Sequence, residues 1–399
     1  MAYRKSRHRF TTVLLFLELA MSVGRCPAET VSSESLRRLC RDAVQHYAKI
    51  AFASYSDAEA SARELHVALK RFTAAPSEQS LEDAKQAWID ARHPYLQTEV
   101  FRFYGGPIDD ERGLEPLING WPIDEFYIDY VEGAPESGII QDSINYPRIT
   151  PELLERQNER AGETAITCGF HAIEFLLWGQ DRSDEGPGRR PVTDYTQSPH
   201  ANRRKDYLLA CGELLVRHLH QVARAWTPEQ TGNYREAFLS NKPLRSFWYA
   251  LYGLQTFAGK ELAGERLLVA WDTQAQEDEH SCFSDNTLVD LQSDLLGISN
   301  LYHGVYLRKN NQLLRGPGLK TVFAKMTTHE AQELEHGIQE ALRRAEAIPP
   351  PFDQAILGTD ETLGRKSILA CVEVLEDLAF TLSQIEQVLL QHRREGAAE

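Results

Sequence analysis

His171 and Glu174 are the residues whose types and spacing most plainly allow chemistry. They lie in Gly169-Phe170-His171-Ala172-Ile173-Glu174, followed by Phe175-Leu176-Leu177-Trp178-Gly179. Three positions apart on a helix, they project from one face. Imidazole nitrogen and carboxylate oxygen together suit iron or zinc. Carboxylate and histidine at i, i+3 is how helical bundles build metal sites inside their cores. The neighbours Ile166, Phe170, Ile173, Phe175, Leu176 and Leu177 are apolar, so a His and a Glu among them need partners. Gly169 would let another backbone approach closely. The plainer alternative is that both side chains hydrogen-bond to neighbouring helices.

Other groupings are weaker. Glu261 and Glu265 are four apart with Arg266 beside them, and His280 and Asp285 lie in an acidic turn from Glu277 to Asp285. These are expected to line a cleft, or else to cap a helix through Ser284 or Asp285. His329, Glu333 and His336 share one helix face, but that segment is polar all round and reads as solvated. There is no His-Glu-x-x-His string of a zincin and no Gly-x-Ser-x-Gly elbow. The cysteines Cys26, Cys40, Cys168, Cys211, Cys282 and Cys371 form no Cys-x-x-Cys pair and no haem-attachment motif.

The elements that must carry these residues are helical. From Tyr207 the apolar residues Tyr207, Leu208, Cys211, Leu214, Leu215, Leu219 and Val222 form one stripe at helical spacing. Cys371, Leu375, Leu378, Leu382, Ile385 and Leu389 alternate steps of four and three, the seam of near-parallel packed helices. Thr150-Pro151 and Thr227-Pro228 read as helix starts. The fold class expected is all-α.

The chain has 399 residues, enough for two domains. The boundary is expected in the Gly- and Pro-bearing stretch 186–202, between a helical domain at 29–185 and another at 203–395. Residues 1–28 read as a signal peptide: Arg4, Lys5, Arg7 and Arg9 precede an apolar run from Thr11 to Val23, interrupted by Glu18. Arg25 directly before Cys26 argues against lipoprotein processing. No later stretch is long and apolar enough to cross a bilayer. The net charge of −15 lacks the basic footprint of nucleic-acid binding. Arg203-Arg204-Lys205 reads as a solvated helix start.

The Gly-x-His-x-x-Glu string followed by Phe-Leu-Leu-Trp-Gly resembles the imelysin family, peptidase family M75. Three further stretches are similar to it. They are Trp88 to Arg92 leading to Gln97–Asp109; Asn119 to Glu125; and Gly259 to Arg266 with Glu277 to Thr287. The resemblance implies two four-helix-bundle-like domains packed side by side with a cleft between them. It also implies export to the periplasm or cell envelope and a link to iron acquisition. Carried onto this chain, the metal site would comprise His171, Glu174, Glu99 and Asp124. Arg92, two helical turns before Glu99, would support it, and Glu261, Glu265, His280 and Asp285 would line the cleft. Iron is the favoured metal and zinc the alternative, with an envelope iron-transport or redox protein as partner. Competing expectations are a metallopeptidase, or a module binding a peptide, haem or polysaccharide without metal.

Overall fold

A computed structural model describes residues 32–111, 113–183 and 186–395. The expected signal peptide and Cys26 lie outside the described residues. The chain is all-α, as its periodicity predicts. The one sheet among the described residues is a small antiparallel hairpin that pairs Val305–Leu307 with Leu313–Arg315.

The first helix, Ser33–Ala74, is the spine. Ser32 caps it by accepting from the Ser35 amide. It packs against Glu78–Leu96, Ala201–Ala225 and Pro243–Thr256. The last helix, Leu363–Glu395, packs against Thr328–Glu346, Pro243–Thr256 and the π-helical segment Phe257–Leu268. Both apolar stripes read from the sequence are buried, which is why these helices persist: an amphipathic face stabilises a helix mainly by packing.

The stretch 186–202 does not divide the packing as expected. Ala201–Ala225 follows it, yet packs against Pro151–Gln157 and the motif helix Phe170–Trp178 as well as the first helix. Buried residues on both sides join one hydrophobic cluster.

Thr150 caps the helix Pro151–Gln157 through the Leu153 amide, as its sequence predicts. Thr227 does not start a helix. Glu229 and Gly232 take positive φ, and the next helix, Tyr234–Ser240, is capped by Asn233. The local Thr-Pro signal is overridden by left-handed residues just after it. Arg203 and Arg204 turn inward rather than facing solvent. Arg203 donates to the Ile139 and Ile140 carbonyls, and Arg204 to Asp129.

Candidate metal centre

The motif helix Phe170–Trp178 is buried on every side, as suits a helix apolar all round. Gly169 at φ +92 opens it, and a Cβ there would lie 2.6 Å from the Ile118 carbonyl oxygen. Only glycine permits both that φ and that approach. The approach packs the start of the motif helix against the Leu117–Ile118 backbone, next to Asn119.

His171 Nδ1 and Glu174 Oε2 are 2.9 Å apart. The other Glu174 oxygen accepts from the Ser284 amide at 3.0 Å and its hydroxyl at 2.7 Å. Both Glu174 oxygens are therefore engaged. His171 Nε2 is buried and has no partner. Burial, then the charge of Arg92, lowers the His171 pKa well below its ordinary value, so the ring is neutral. Burial pushes Glu174 up to about 8, against the hydrogen bond from Ser284.

A second carboxylate–imidazole pair faces the first. His280 Nδ1 lies 3.0 Å from Asp290 Oδ2. The His280 ring meets His171 edge-on at 4.9 Å between centres, and Trp121 at 5.7 Å. Asp290 also accepts from Arg92 at 2.5 Å, Ser281 Oγ at 2.6 Å and Asn286 Nδ2 at 2.7 Å. Burial opposes its ionisation, but Arg92 and His280 outweigh that and hold it far below the carboxylate range. Arg92 also donates to Asn119 and lies over the rings of Phe170 and Trp88.

Glu99 belongs to an adjoining ion network. It receives Arg102 at 2.6 Å and Arg266 at 2.5 Å. Burial raises its pKa, but the two guanidiniums bring it down to about 2. Arg266 also reaches Glu261 at 2.9 Å and Asp294 at 2.8 Å. Glu261 and Arg266 are five apart; the wider π turn of Phe257–Leu268 places them together. Arg92 does not pair with Glu99. Its helix ends at Leu96 and Glu99 starts a separate 3-10 turn, so the expected two-turn alignment is broken.

The remaining candidates sit apart. Asp124 is exposed and caps the turn Glu125–Tyr127 through the Phe126 amide. Glu265 is exposed. Asp285, at φ +55, follows Ser284 and is half-buried. His329 and Glu333 are exposed, 3.4 Å apart, on the polar helix. The described cysteines Cys40, Cys168, Cys211, Cys282 and Cys371 are buried free thiols.

The structure thus gathers His171, Glu174, His280 and Arg92, and adds Ser284, Asp290, Ser281 and Asn119. Among the described residues, no three His, Cys, Asp or Glu side chains are placed to hold one ion among them. What the site does offer a metal is a buried imidazole nitrogen without a partner. The donor set, two imidazoles each backed by a carboxylate, fits iron or zinc.

Comparison with known proteins follows the same lines. Residues 51–382 match the imelysin family, peptidase M75. Iron-regulated protein A of Synechococcus elongatus is 25% identical over 345 residues, covering 85% of this chain and 83% of that protein. A crystal structure described as a candidate iron-regulated protein A precursor, from Parabacteroides distasonis, superposes with a TM-score of 0.69. It is 19% identical and covers 91% of this chain and 97% of that one. An imelysin-like protein from Psychrobacter arcticus gives a TM-score of 0.55 at 13% identity, covering 90% and 94%.

Proposed function

The chain belongs to the imelysin family, and from that premise we propose that it is an exported iron-binding protein of the bacterial cell envelope. His171 Nε2 is the metal-binding atom, His280 is a second imidazole donor, and Glu174 orients His171 rather than ligating. One observation carries this reading. A fully buried imidazole has one nitrogen fixed by a carboxylate and the other without a partner. A metal-binding histidine is typically held this way, its second nitrogen on a carboxylate that sets the tautomer and raises basicity.

The iron-regulated relatives support iron as the ion. A bound metal would supply Lewis acidity at the imidazoles; the protein's own residues hold and orient. Glu174 takes the Nδ1 proton of His171 in hydrogen bond, and Ser284 holds Glu174. Arg92 and Asp290 fix His280. Two imidazoles leave further coordination positions to water or to the molecule that delivers the ion. His171, Glu174 and His280 are buried.

The alternative is a metallopeptidase, which would need three protein ligands and an open position for a catalytic zinc; turnover of an unstructured protein substrate, lost in Glu174→Gln, would favour it. For export, no described helix is long and apolar enough to cross a membrane, and the basic and apolar start of the chain carries the expectation. N-terminal sequencing of protein recovered from the envelope tests it, with a start near residue 29 expected and an intact Met1 against it.

The metal assignment is tested by equilibrium dialysis against ferrous iron under anaerobic conditions, with metal counted by mass spectrometry. Wild type is expected to retain stoichiometric iron and His171→Ala to lose it with the fold intact by circular dichroism. Equal iron in both would reject the assignment.

A further inference from the structure

Beside the histidine centre, carboxyl groups outnumber the cations that hold them. Arg102 reaches Glu99 at 2.6 Å and both Glu115 and Glu261 at 3.4 Å. Arg266 reaches Glu99 at 2.5 Å, Asp294 at 2.8 Å and Glu261 at 2.9 Å. Glu99, Glu115, Glu261 and Asp294 thus share two guanidiniums.

The four are not held equally. Glu99 takes both arginines at short range, and Glu261 takes Arg266 through Nε and Nη2. Glu115 has only the longer contact to Arg102. Asp294 places one oxygen on Arg266, and the other is buried without a partner. A buried carboxylate short of counter-charge takes up a proton instead. Burial pushes Glu115 up to about 7 against the pull of Arg102, and raises Asp294 well above the ordinary carboxylate value against Arg266. At Glu99 and Glu261 burial acts the same way, but Arg102 and Arg266 outweigh it and hold both low.

The other ionisable groups nearby do not balance the network. Arg92 is taken by Asp290 at 2.5 Å. His93 meets Ser293, and burial lowers its pKa. Asp109 is held by the Phe103 and Gly106 amides. Burial keeps the Tyr55 and Tyr95 phenols neutral. Lys260 and Glu265, on the same π segment as Glu261, are exposed.

We propose that this network is a proton-loaded latch: Glu115 and Asp294 carry protons in the closed protein, and their ionisation as pH rises loosens the π-helical segment Phe257–Leu268 from the turn Glu99–Phe101 and the helix Thr287–His303. Each ionisation adds a negative charge beside Glu99 and Glu261 with no cation to match it. The Glu115 side chain is 17% exposed, which gives its proton a way to solvent. Asp294 lies one helical turn after Asp290, so the latch meets the histidine centre through a single helix. The latch needs no metal.

The test uses protein freed of metal with a chelator. Amide hydrogen exchange is followed by mass spectrometry and corrected for the intrinsic effect of pH. A carboxyl whose folded pKa is raised stabilises the fold below its unfolded pKa, and that stabilisation is lost as pH rises through the folded value. Opening of residues 257–268 in wild type is therefore expected to rise roughly tenfold or more from about pH 5 to about pH 7. Glu115→Gln keeps the neutral form at every pH and is expected to flatten that rise, and adding Asp294→Asn to remove what remains. Infrared difference spectra give a second readout. Wild type minus Glu115→Gln at about pH 6 is expected to show the C=O band of a protonated carboxyl. Glu174, also raised, is common to both proteins and cancels. Equal pH dependence of opening in wild type and Glu115→Gln, or no protonated-carboxyl band in the difference, would overturn the proposal.

Discussion

Two buried polar regions of this molecule are built on opposite principles. Around Asp129 every charge has its counter-charge. Arg190 reaches it at 3.0 Å and Arg204 at 2.6 Å, and Gln141 adds a hydrogen bond at 2.6 Å. Arg190 also pairs with Asp194, which accepts from Tyr130. Around His171 the pairing stops short. Nε2 has no partner, and Glu174 is held only by neutral donors and the imidazole. A closed network of this kind fixes the packing of chain segments. An incomplete one is kept at the cost of burying polarity, and the proposed metal would complete it.

The largest effect should come from breaking the closed network. Asp129→Ala leaves the buried Arg204 without its carboxylate and Arg190 with Asp194 alone, and should cost about 3–5 kcal/mol in urea unfolding. Glu99→Ala removes one carboxylate from Arg102 and Arg266, which keep Glu261, and should cost less, and whatever remains folded should keep its metal. Loss of metal in folded Glu99→Ala would move Glu99 from the closed class to the open one.

A middle-sized effect is expected at Glu174. Glu174→Gln should fold and lose roughly 10–100-fold in metal affinity, as removal of a carboxylate behind a ligating histidine typically does. The pH dependence sharpens this. Metal at Nε2 favours ionised Glu174, so wild-type affinity should rise with pH up to about 8 and then level off. The Gln variant should lack that rise. Stability should move in the opposite sense without metal. The folded pKa of Glu174 is raised above its unfolded value, so its contribution is present below the unfolded pKa and lost as pH rises through about 8. Wild type measured against Glu174→Gln by chemical denaturation should show that decline.

The smallest effects should be at Asp124 and Glu265. Alanine at either exposed position should change stability by no more than about 0.5 kcal/mol and leave metal affinity unchanged. A tenfold loss of affinity at either would bring that residue into the site.

The sequence makes the helical class and the His171–Glu174 pair legible, because periodicity of apolar residues and i, i+3 spacing are local properties. Gly169 is legible for the same reason. Asp290 is not singled out, although it faces the core of an amphipathic helix. Its role depends on Arg92, 198 positions away in the chain. Ser284 reads as a cap because nothing local reveals Glu174 across from it. The direction of Glu174, toward Nδ1 rather than toward a metal, is a matter of side-chain geometry that spacing cannot encode. The pairing of Glu261 with Arg266 is hidden because it relies on a π turn. The division at 186–202 follows from composition. The helix after it packs backward because its apolar stripe is wide enough to meet the first helix, the motif helix and Pro151–Gln157 together.

The central claim is that His171 Nε2 binds the metal while Glu174 stays behind the ring. X-ray absorption at the iron edge of the loaded protein tests it most directly. Wild type and Glu174→Gln should both show imidazole scattering, and His171→Ala loaded at high iron should lose at least one imidazole. An unchanged imidazole shell in His171→Ala, or a carboxylate shell that vanishes with Glu174→Gln while imidazole persists, would contradict the account.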